Sequence, residues 1–269
     1  MTSFSTEVTS SKILSDRPLY LRTRKAYEII SNKAQGDTLE IGCGEGYGIP
    51  HYIENVRSLT LVDKSKSNLK KIKKTYPKCT FFFKRIPPLN MFEDNTFDTI
   101  ISFQVIEHIK DYNLFLKEIK RVLKPSGKAY ITTPNKLKTV APNPWHYREF
   151  SFDELDALLK PLFKTYEILG IQGNSKTEEY YTKSNSSVLK ILSFDIFNLH
   201  KHLPRALLKI PYEILNRLNR ASVFNVNKQL IEDINSNDYQ LKPYNRDTLD
   251  LFCILNKEPI PSKNLKLKN

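Results

Sequence analysis

Glu40-Ile-Gly-Cys-Gly-Glu-Gly46 places three alternating glycines directly behind an acidic residue. Glycine admits positive φ and puts no Cβ between a ligand and the backbone N–H groups. Such a loop can therefore hold a polar small molecule against main-chain donors. Asp63 follows roughly 20 residues later, the spacing at which a carboxylate can take both hydroxyls of a ribose. The same side chain could instead cap a helix opening near Ser65. Two of the five histidines, His108 and His146, stand in polar and aromatic surroundings (Ile106-Glu-His108 and Asn143-Pro-Trp-His-Tyr-Arg-Glu-Phe150) and are candidates to move a proton.

These residues need a scaffold that brings them to one edge. Short apolar runs alternate with amphipathic stretches from Asp37 onward, which predicts a mostly parallel sheet covered by helices. Expected strands are Thr38–Ile41, Leu59–Asp63, Cys79–Phe83, Phe97–Phe103, Ala129–Thr133, Tyr166–Gly170 and Leu249–Leu255. Helices are expected over Leu19–Ile30, Ser65–Tyr76, Tyr112–Leu123 (stopped by Pro125-Ser-Gly127) and Ser151–Leu159, the last opened by a capping-box spacing. The expected fold is thus a Rossmann-like α/β sheet of seven strands with a helical insert between strands six and seven. The glycine loop, Asp63, His108 and His146 all follow strands, at the carboxyl edge where open α/β sheets bind ligands. The expected organisation is an N-terminal helix or lid (1–36), a core (37–173), a helical cap (174–246) and a last strand with a tail (247–269).

Composition bounds the rest. The 269 residues suffice for one sizeable core with an elaboration. The three widely spaced cysteines, Cys43, Cys79 and Cys253, have no CxxC pairing and read as reduced core thiols. No apolar run reaches a membrane-spanning length, and the start lacks the pattern of a signal peptide, so the expected location is the cytoplasm. A formal charge of +13 is compatible with an acidic partner, and equally with a chain that is lysine-rich throughout. Between Lys183 and Lys228 stand eight Lys or Arg and two acids, with Val188, Ile191, Leu192, Ile196, Phe197 and Leu199 at helical spacing. That pattern allows a peripheral contact with anionic lipid, or a solvated face on a cap helix.

The nicotinamide fingerprint asks for glycine where Tyr47 stands. A tight turn at Gly42-Cys43-Gly44 suits an adenosyl-methionine better than a pyrophosphate. Five ordered motifs resemble the class I S-adenosylmethionine (SAM) dependent methyltransferases, in particular the type 11/12 group. They are the glycine loop, Asp63, Asn95-Thr-Phe-Asp98, Val105-Ile-Glu-His108 and Arg121-Val-Leu-Lys-Pro-Ser-Gly127. The likeness runs from about Asp37 to Phe163 and resumes at Leu249–Asn256. It implies that Glu40, Gly42, Cys43 and Gly44 surround the methionine part of SAM and that Asp63 takes the ribose. Lys64 stands where a residue usually packs on the adenine. The usual carboxylate after strand three is missing, so the backbone at Arg85 and Ile86 is expected to meet the adenine. Gln104 matches a position near the sulfonium.

Transfer of a methyl group from a sulfonium is an in-line displacement that needs alignment, exclusion of water and removal of a proton from a hydroxyl acceptor. His146 and His108 are the expected bases. The expected acceptor is a small molecule or glycan, phosphorylated or lipid-linked ones included, methylated on oxygen; nucleic acid is not expected. Tyr180 and Tyr181 could line its pocket. One alternative is a metal-assisted RNA ribose 2′-O-methyltransferase, because Glu107, His108 and His146 resemble part of a two-Glu, two-His metal site. Gln104 stands at that site's first glutamate and is a poor hard-metal ligand, so no metal is expected. The other alternative is a SAM-binding module without transfer activity.

Overall fold

The computed structural model describes residue 9, residues 12–194 and residues 203–258. Eight strands form one sheet: β1 (Gly36–Ile41), β2 (Val56–Asp63), β3 (Thr80–Phe83), β4 (Phe97–Phe103), β5 (Leu123–Pro134), β6 (Thr165–Gly173), β7 (Tyr239–Pro243) and β8 (Asp250–Asn256). Their order is β3-β2-β1-β4-β5-β8-β6-β7. The first five pair in parallel, whereas β8 runs antiparallel between β5 and β6. This is a Rossmann-like α/β fold.

The sheet exceeds the expected seven strands by one. Tyr239–Pro243 pairs antiparallel with β6 at the edge, so the stretch expected to be a helical cap ends in a strand. Its signal is short: buried Tyr239 and half-buried Leu241 alternate with exposed Gln240 and Lys242. Lys242 and Pro243 are residues that an edge strand tolerates and that blunt further pairing.

Seven helices among the described residues flank the sheet: α1 (Arg17–Ile30), α2 (Lys66–Thr75), α3 (Tyr112–Val122), α4 (Phe152–Leu159), α5 (Ser175–Leu192), α6 (Arg205–Val226) and α7 (Lys228–Asp233). The expected helical run to Leu199 is met as far as Leu192; Asp195, Ile196, Phe197, Leu199 and Lys201 lie outside the described residues. Ser151 opens α4 with the expected capping box, its hydroxyl accepting from the Glu154 N–H while the Glu154 carboxylate accepts from the Ser151 N–H.

Side-chain alternation along each strand feeds two cores, one per face. Leu39, Ile41 and Ile100 pack with Phe115, Ile119 and Leu155 of α3 and α4. Leu61, Ile101, Tyr130 and Phe252 pack on the other face with Tyr27, Ile30, Ile72 and Ile231 of α1, α2 and α7. Cys43 and Cys253 are buried, Cys79 is half-buried, and all three are free thiols. No helix among the described residues is long and apolar enough to cross a membrane.

Candidate functional site

The chain order reverses between β1 and β4, and the crevice beyond their carboxyl ends is where such sheets bind ligands. β1 runs into the glycine loop there. Gly42 has φ +73°, and a Cβ on it would fall 2.5 Å from Cγ2 of Val105, which follows β4. Only glycine fits between loop and β4 in that conformation. The Gly42 N–H donates to the Val62 carbonyl at 2.8 Å, stitching the loop to β2.

Asp63, at the end of β2, is almost fully buried and faces the loop. Its Oδ2 accepts from the Gly44 N–H at 2.9 Å and its Oδ1 from the Ser65 N–H at 2.6 Å. The helix-cap bond proper belongs to Ser65, whose hydroxyl accepts from the Asn68 N–H. Asp63 thus braces the loop through both of its carboxylate oxygens. The Cys43 thiol lies against Asp63 Oδ2 at 4.0 Å, and burial pushes its pKa far above the ordinary thiol range.

Glu40 sits beneath the loop. Its two oxygens accept hydrogen bonds from Tyr27 Oη (2.7 Å) and Tyr52 Oη (2.5 Å). Burial pushes its carboxyl up to about 7 against the opposing pull of both tyrosine hydroxyls. Tyr27 belongs to α1, which roofs the loop: Tyr20 and Tyr27 meet the Tyr47 ring edge-to-face, and the Tyr27 ring meets Phe103 at 4.8 Å. Tyr47 thus anchors a roof over the loop in place of a third spaced glycine.

The remaining expected cofactor residues are placed as follows. Gln104 follows β4 with φ +57°, and its side-chain amide donates to Thr132 Oγ1 at 3.2 Å. Asp250, the buried carboxylate at the start of β8, pairs with Arg22 of α1 at 2.9 Å. Lys64 is exposed ahead of α2; in the loop after β3, Arg85 is exposed and Ile86 is half-buried against the core.

A second group of polar residues collects beyond β4 and β5. The His108 and His146 rings meet edge-to-face with centroids 4.8 Å apart. Ligand atoms of Glu107, His108 and His146 lie within 4.8 Å of one another. Glu107 is buried, and Thr133 donates to its Oε2 at 3.0 Å. Burial raises this carboxyl to about 7, partly offset by His146. His146 Nδ1 lies 2.6 Å from Glu149 Oε1, and His146 Nε2 lies 2.9 Å from Asn143 Nδ2. The Trp145 N–H donates to Asn143 Oδ1, which turns the Asn143 amide N–H toward the ring. The mutually consistent assignment has His146 donating from Nδ1 to Glu149 and accepting at Nε2. His108 Nδ1 lies 3.1 Å from the Trp145 carbonyl, so it too donates from Nδ1 and leaves Nε2 as its acceptor.

His146, Asn143 and Glu149 line a cavity of about 1280 Å³ beyond Pro134 and Asn135 at the end of β5. Tyr180 and Tyr181 of α5 line it too, as does Arg22, which donates to Tyr181 Oη at 3.2 Å. His108 is absent from its wall, so of the two histidines only His146 faces this space. Helix α6 clasps the His146 loop: Trp145 Nε1 donates to Glu213 (2.6 Å), Lys209 Nζ stands 4.0 Å over the Trp145 ring, and Arg205 donates to the Tyr147 carbonyl (2.8 Å).

A family model described as a methyltransferase domain matches residues 39–131, from β1 into β5. A probable SAM-dependent methyltransferase of Mycolicibacterium smegmatis is 30% identical over 179 residues, which are 64% of this chain and 69% of that protein. The chain belongs to the SAM-dependent methyltransferases. Another probable methyltransferase of this kind, from Mycobacterium tuberculosis, is 36% identical over 129 residues, and the match spans 46% of each chain. A ubiquinone biosynthesis O-methyltransferase of Pelagibacter ubique is 31% identical over 100 residues, 36% of this chain and 42% of that one. Among solved structures, a SAM-dependent methyltransferase of Thermotoga maritima shares the fold, with TM-score 0.53 and 15% identity over 89% of this chain and 92% of that one. SAM is accordingly the cofactor of this methyltransferase. The buried carboxylate of Asp63 against the Gly42–Gly44 turn has the chemistry that a ribose and a methionine moiety require.

Sequence reasoning missed the residues that hold the candidate site rather than form it. Tyr27 and Tyr52 on Glu40, Glu149 and Asn143 on His146, and Arg22 beside Asp250 are contacts between distant or irregular segments. The one available signal was local: Asn143 and Glu149 flank His146 three residues away on either side.

Proposed function

We propose that this methyltransferase transfers the SAM methyl group to a hydroxyl of a small-molecule acceptor held in the cavity, with His146 as the base. The observation that carries this reading is the Glu149–His146 pair at the cavity wall. A carboxylate on Nδ1 fixes the tautomer and steadies the imidazolium that forms when Nε2 takes a proton. An acceptor hydroxyl would replace Asn143 on Nε2. His108, edge-on to His146, is a positioning residue in this reading. SAM, when bound, supplies an electrophilic methyl group on a sulfonium. Asp63 would hold the ribose, Glu40 and the Gly42–Gly44 backbone the methionine part, and Gln104 the floor beneath the sulfur. Lys64 and the backbone at Arg85 and Ile86 are assigned to the adenine. The Pelagibacter ubique relative, named as an O-methyltransferase, supports oxygen as the acceptor atom.

Transfer of label from methyl-labelled SAM to paired hydroxyl and amine acceptors tests the reading. Activity confined to amines would overturn oxygen as the target, and an undiminished rate in His146→Gln would remove the base.

A second reading has one specific observation in its favour. Glu107 Oε and the Nε2 atoms of His108 and His146 offer a carboxylate and two imidazoles, with both Nδ1 atoms already committed to oxygen partners. That is how metal-ligating histidines are usually held. A divalent cation there would bind vicinal hydroxyls of an acceptor such as a terminal ribose. Turnover unchanged by EDTA dialysis would eliminate it.

A further inference from the structure

The net charge of the chain is concentrated in one place. Residues 64–92 hold eight Lys, one Arg and no Asp or Glu, whereas the other 240 residues hold 33 Lys or Arg against 29 acids. This stretch therefore carries +9 of the net +13. Elsewhere cations stand beside acids, as Arg57 and Lys124 do with Asp37 and Asp98. The five lysines of α2 (Lys66, Lys70, Lys71, Lys73 and Lys74) are all exposed, as are Lys78 and Lys84 after it. Among the described residues no acid pairs with any of these seven. Like charges four residues apart, as at Lys66, Lys70 and Lys74, disfavour a helix, and a bound polyanion would relieve that repulsion.

The cations share their side of the sheet with an aromatic ring. Helix α2 packs against β2 and β3, and β3 is the outermost strand at this end. Phe83, the last residue of β3, is 54% exposed. By strand alternation it lies on the same face as Phe81, which packs in the core beneath α2.

This surface distinguishes between polyanions. The apolar face of α2, Leu69 and Ile72, is buried in the core and leaves no apolar side to sink into a bilayer. At about 100° per residue the five lysines fan over about 160° of the helix. A flat plane of headgroups meets part of that arc, whereas a flexible phosphate chain can follow it. A second copy of the chain would set like charges against each other. An exposed ring beside cations is a platform for an unstacked base, and lysine, a point charge, holds phosphate without reading sequence.

We propose that the face formed by α2 and the β3 edge binds single-stranded nucleic acid without sequence preference, the lysines holding phosphates and Phe83 stacking a base. The surface involves neither His146 nor the cavity, so it goes beyond the acceptor assignment and is tested separately from it.

Fluorescence anisotropy of the full chain with labelled oligo(U) and oligo(dT), each about 20 nucleotides long, tests the binding. Saturable binding of both is expected. Lys70→Glu/Lys74→Glu should weaken it at least about ten-fold and reduce the slope of log affinity against log salt by about 1.4, the equivalent of two phosphate contacts. Phe83→Ala should weaken it at least about five-fold. All three positions are exposed, so unchanged SAM affinity shows that the variants are folded. Lys160→Glu/Lys164→Glu makes the same charge change just past α4, on the opposite face of the sheet, and should leave the affinity within about two-fold. No saturable binding, an undiminished Lys70→Glu/Lys74→Glu variant, or an equal loss in Lys160→Glu/Lys164→Glu overturns the proposal. Undiminished binding by Phe83→Ala refutes the stacking. Flotation with phosphatidylglycerol vesicles that Lys70→Glu/Lys74→Glu abolishes, without oligonucleotide binding, assigns the face to lipid instead.

Discussion

Replacing Glu40 by Gln should remove a definite part of the pH dependence of stability. Glu40 is 1% exposed, and burial lifts its carboxyl from the ordinary 4.5 to about 7, although two tyrosine hydroxyls stabilise the anion. Below about 4.5 the group carries its proton whether folded or not, and its contribution is complete. Between 4.5 and about 7 the unfolded chain gives up the proton while the folded chain keeps it, so stability declines as pH rises. Beyond about 7 the loss is finished. At about 1.4 kcal/mol for each tenfold change in proton affinity, this amounts to about 3 kcal/mol. Glutamine keeps the shape and one acceptor but cannot titrate. Urea unfolding of the cofactor-free protein at several pH values between about 4.5 and 8 would give the difference between wild type and Glu40→Gln. That difference should shift by about 3 kcal/mol in favour of the variant as pH rises, whatever Glu107 and the other groups contribute to both proteins. A difference constant across this range would show that Glu40 is ionised in the fold throughout, and the burial argument would be wrong.

Three other predictions follow from the geometry. Asp63→Ala removes the acceptor from the Gly44 and Ser65 N–H groups and, in the proposed reading, from the ribose, so SAM affinity measured calorimetrically should fall by at least about tenfold; unchanged affinity would refute the ribose role. In Gly48→Ala the new Cβ would lie 2.2 Å from the Tyr27 ring, so α1 must move, at a cost of roughly 1–3 kcal/mol in urea unfolding; a neutral result would mean that α1 is not fixed over the loop. Asp16→Asn leaves Arg217 and Arg220 without their buried counter-charge, and roughly 3–5 kcal/mol of destabilisation is expected by thermal or urea unfolding, with none if the pair is dispensable.

The parallel half of the sheet was legible in the sequence because β1, β2 and β4 each carry a short apolar stretch that is buried toward the strand's end and runs into residues whose types carry chemistry. Gly42 and Asp63 could be placed together for the same reason: each terminates a strand, and adjacent strands in register bring their ends together. The edge strand β7 was not legible, since Lys242 and Pro243 give a sheet edge little to distinguish it from a loop. The support of the site was hidden more deeply. That Tyr27 reaches Glu40, or that α6 grips Trp145 from 68 residues away, depends on how helices are laid across the sheet. No local periodicity encodes that. His146 was found as a candidate from the aromatic and charged residues beside it, whereas its separation from His108 by the cavity wall required the fold.

Trp145 is the chain's single tryptophan, and it is held between Glu213 on its indole N–H and Lys209 over its ring. The tryptophan emission of the protein therefore has one source, and that source sits where α6 closes on the His146 loop. An ammonium against the indole face and a carboxylate on its edge both bear on the excited-state dipole. Displacing α6 would release both at once, so the wavelength and lifetime of this one fluorophore report, without a label, on the contact between α6 and the His146 loop.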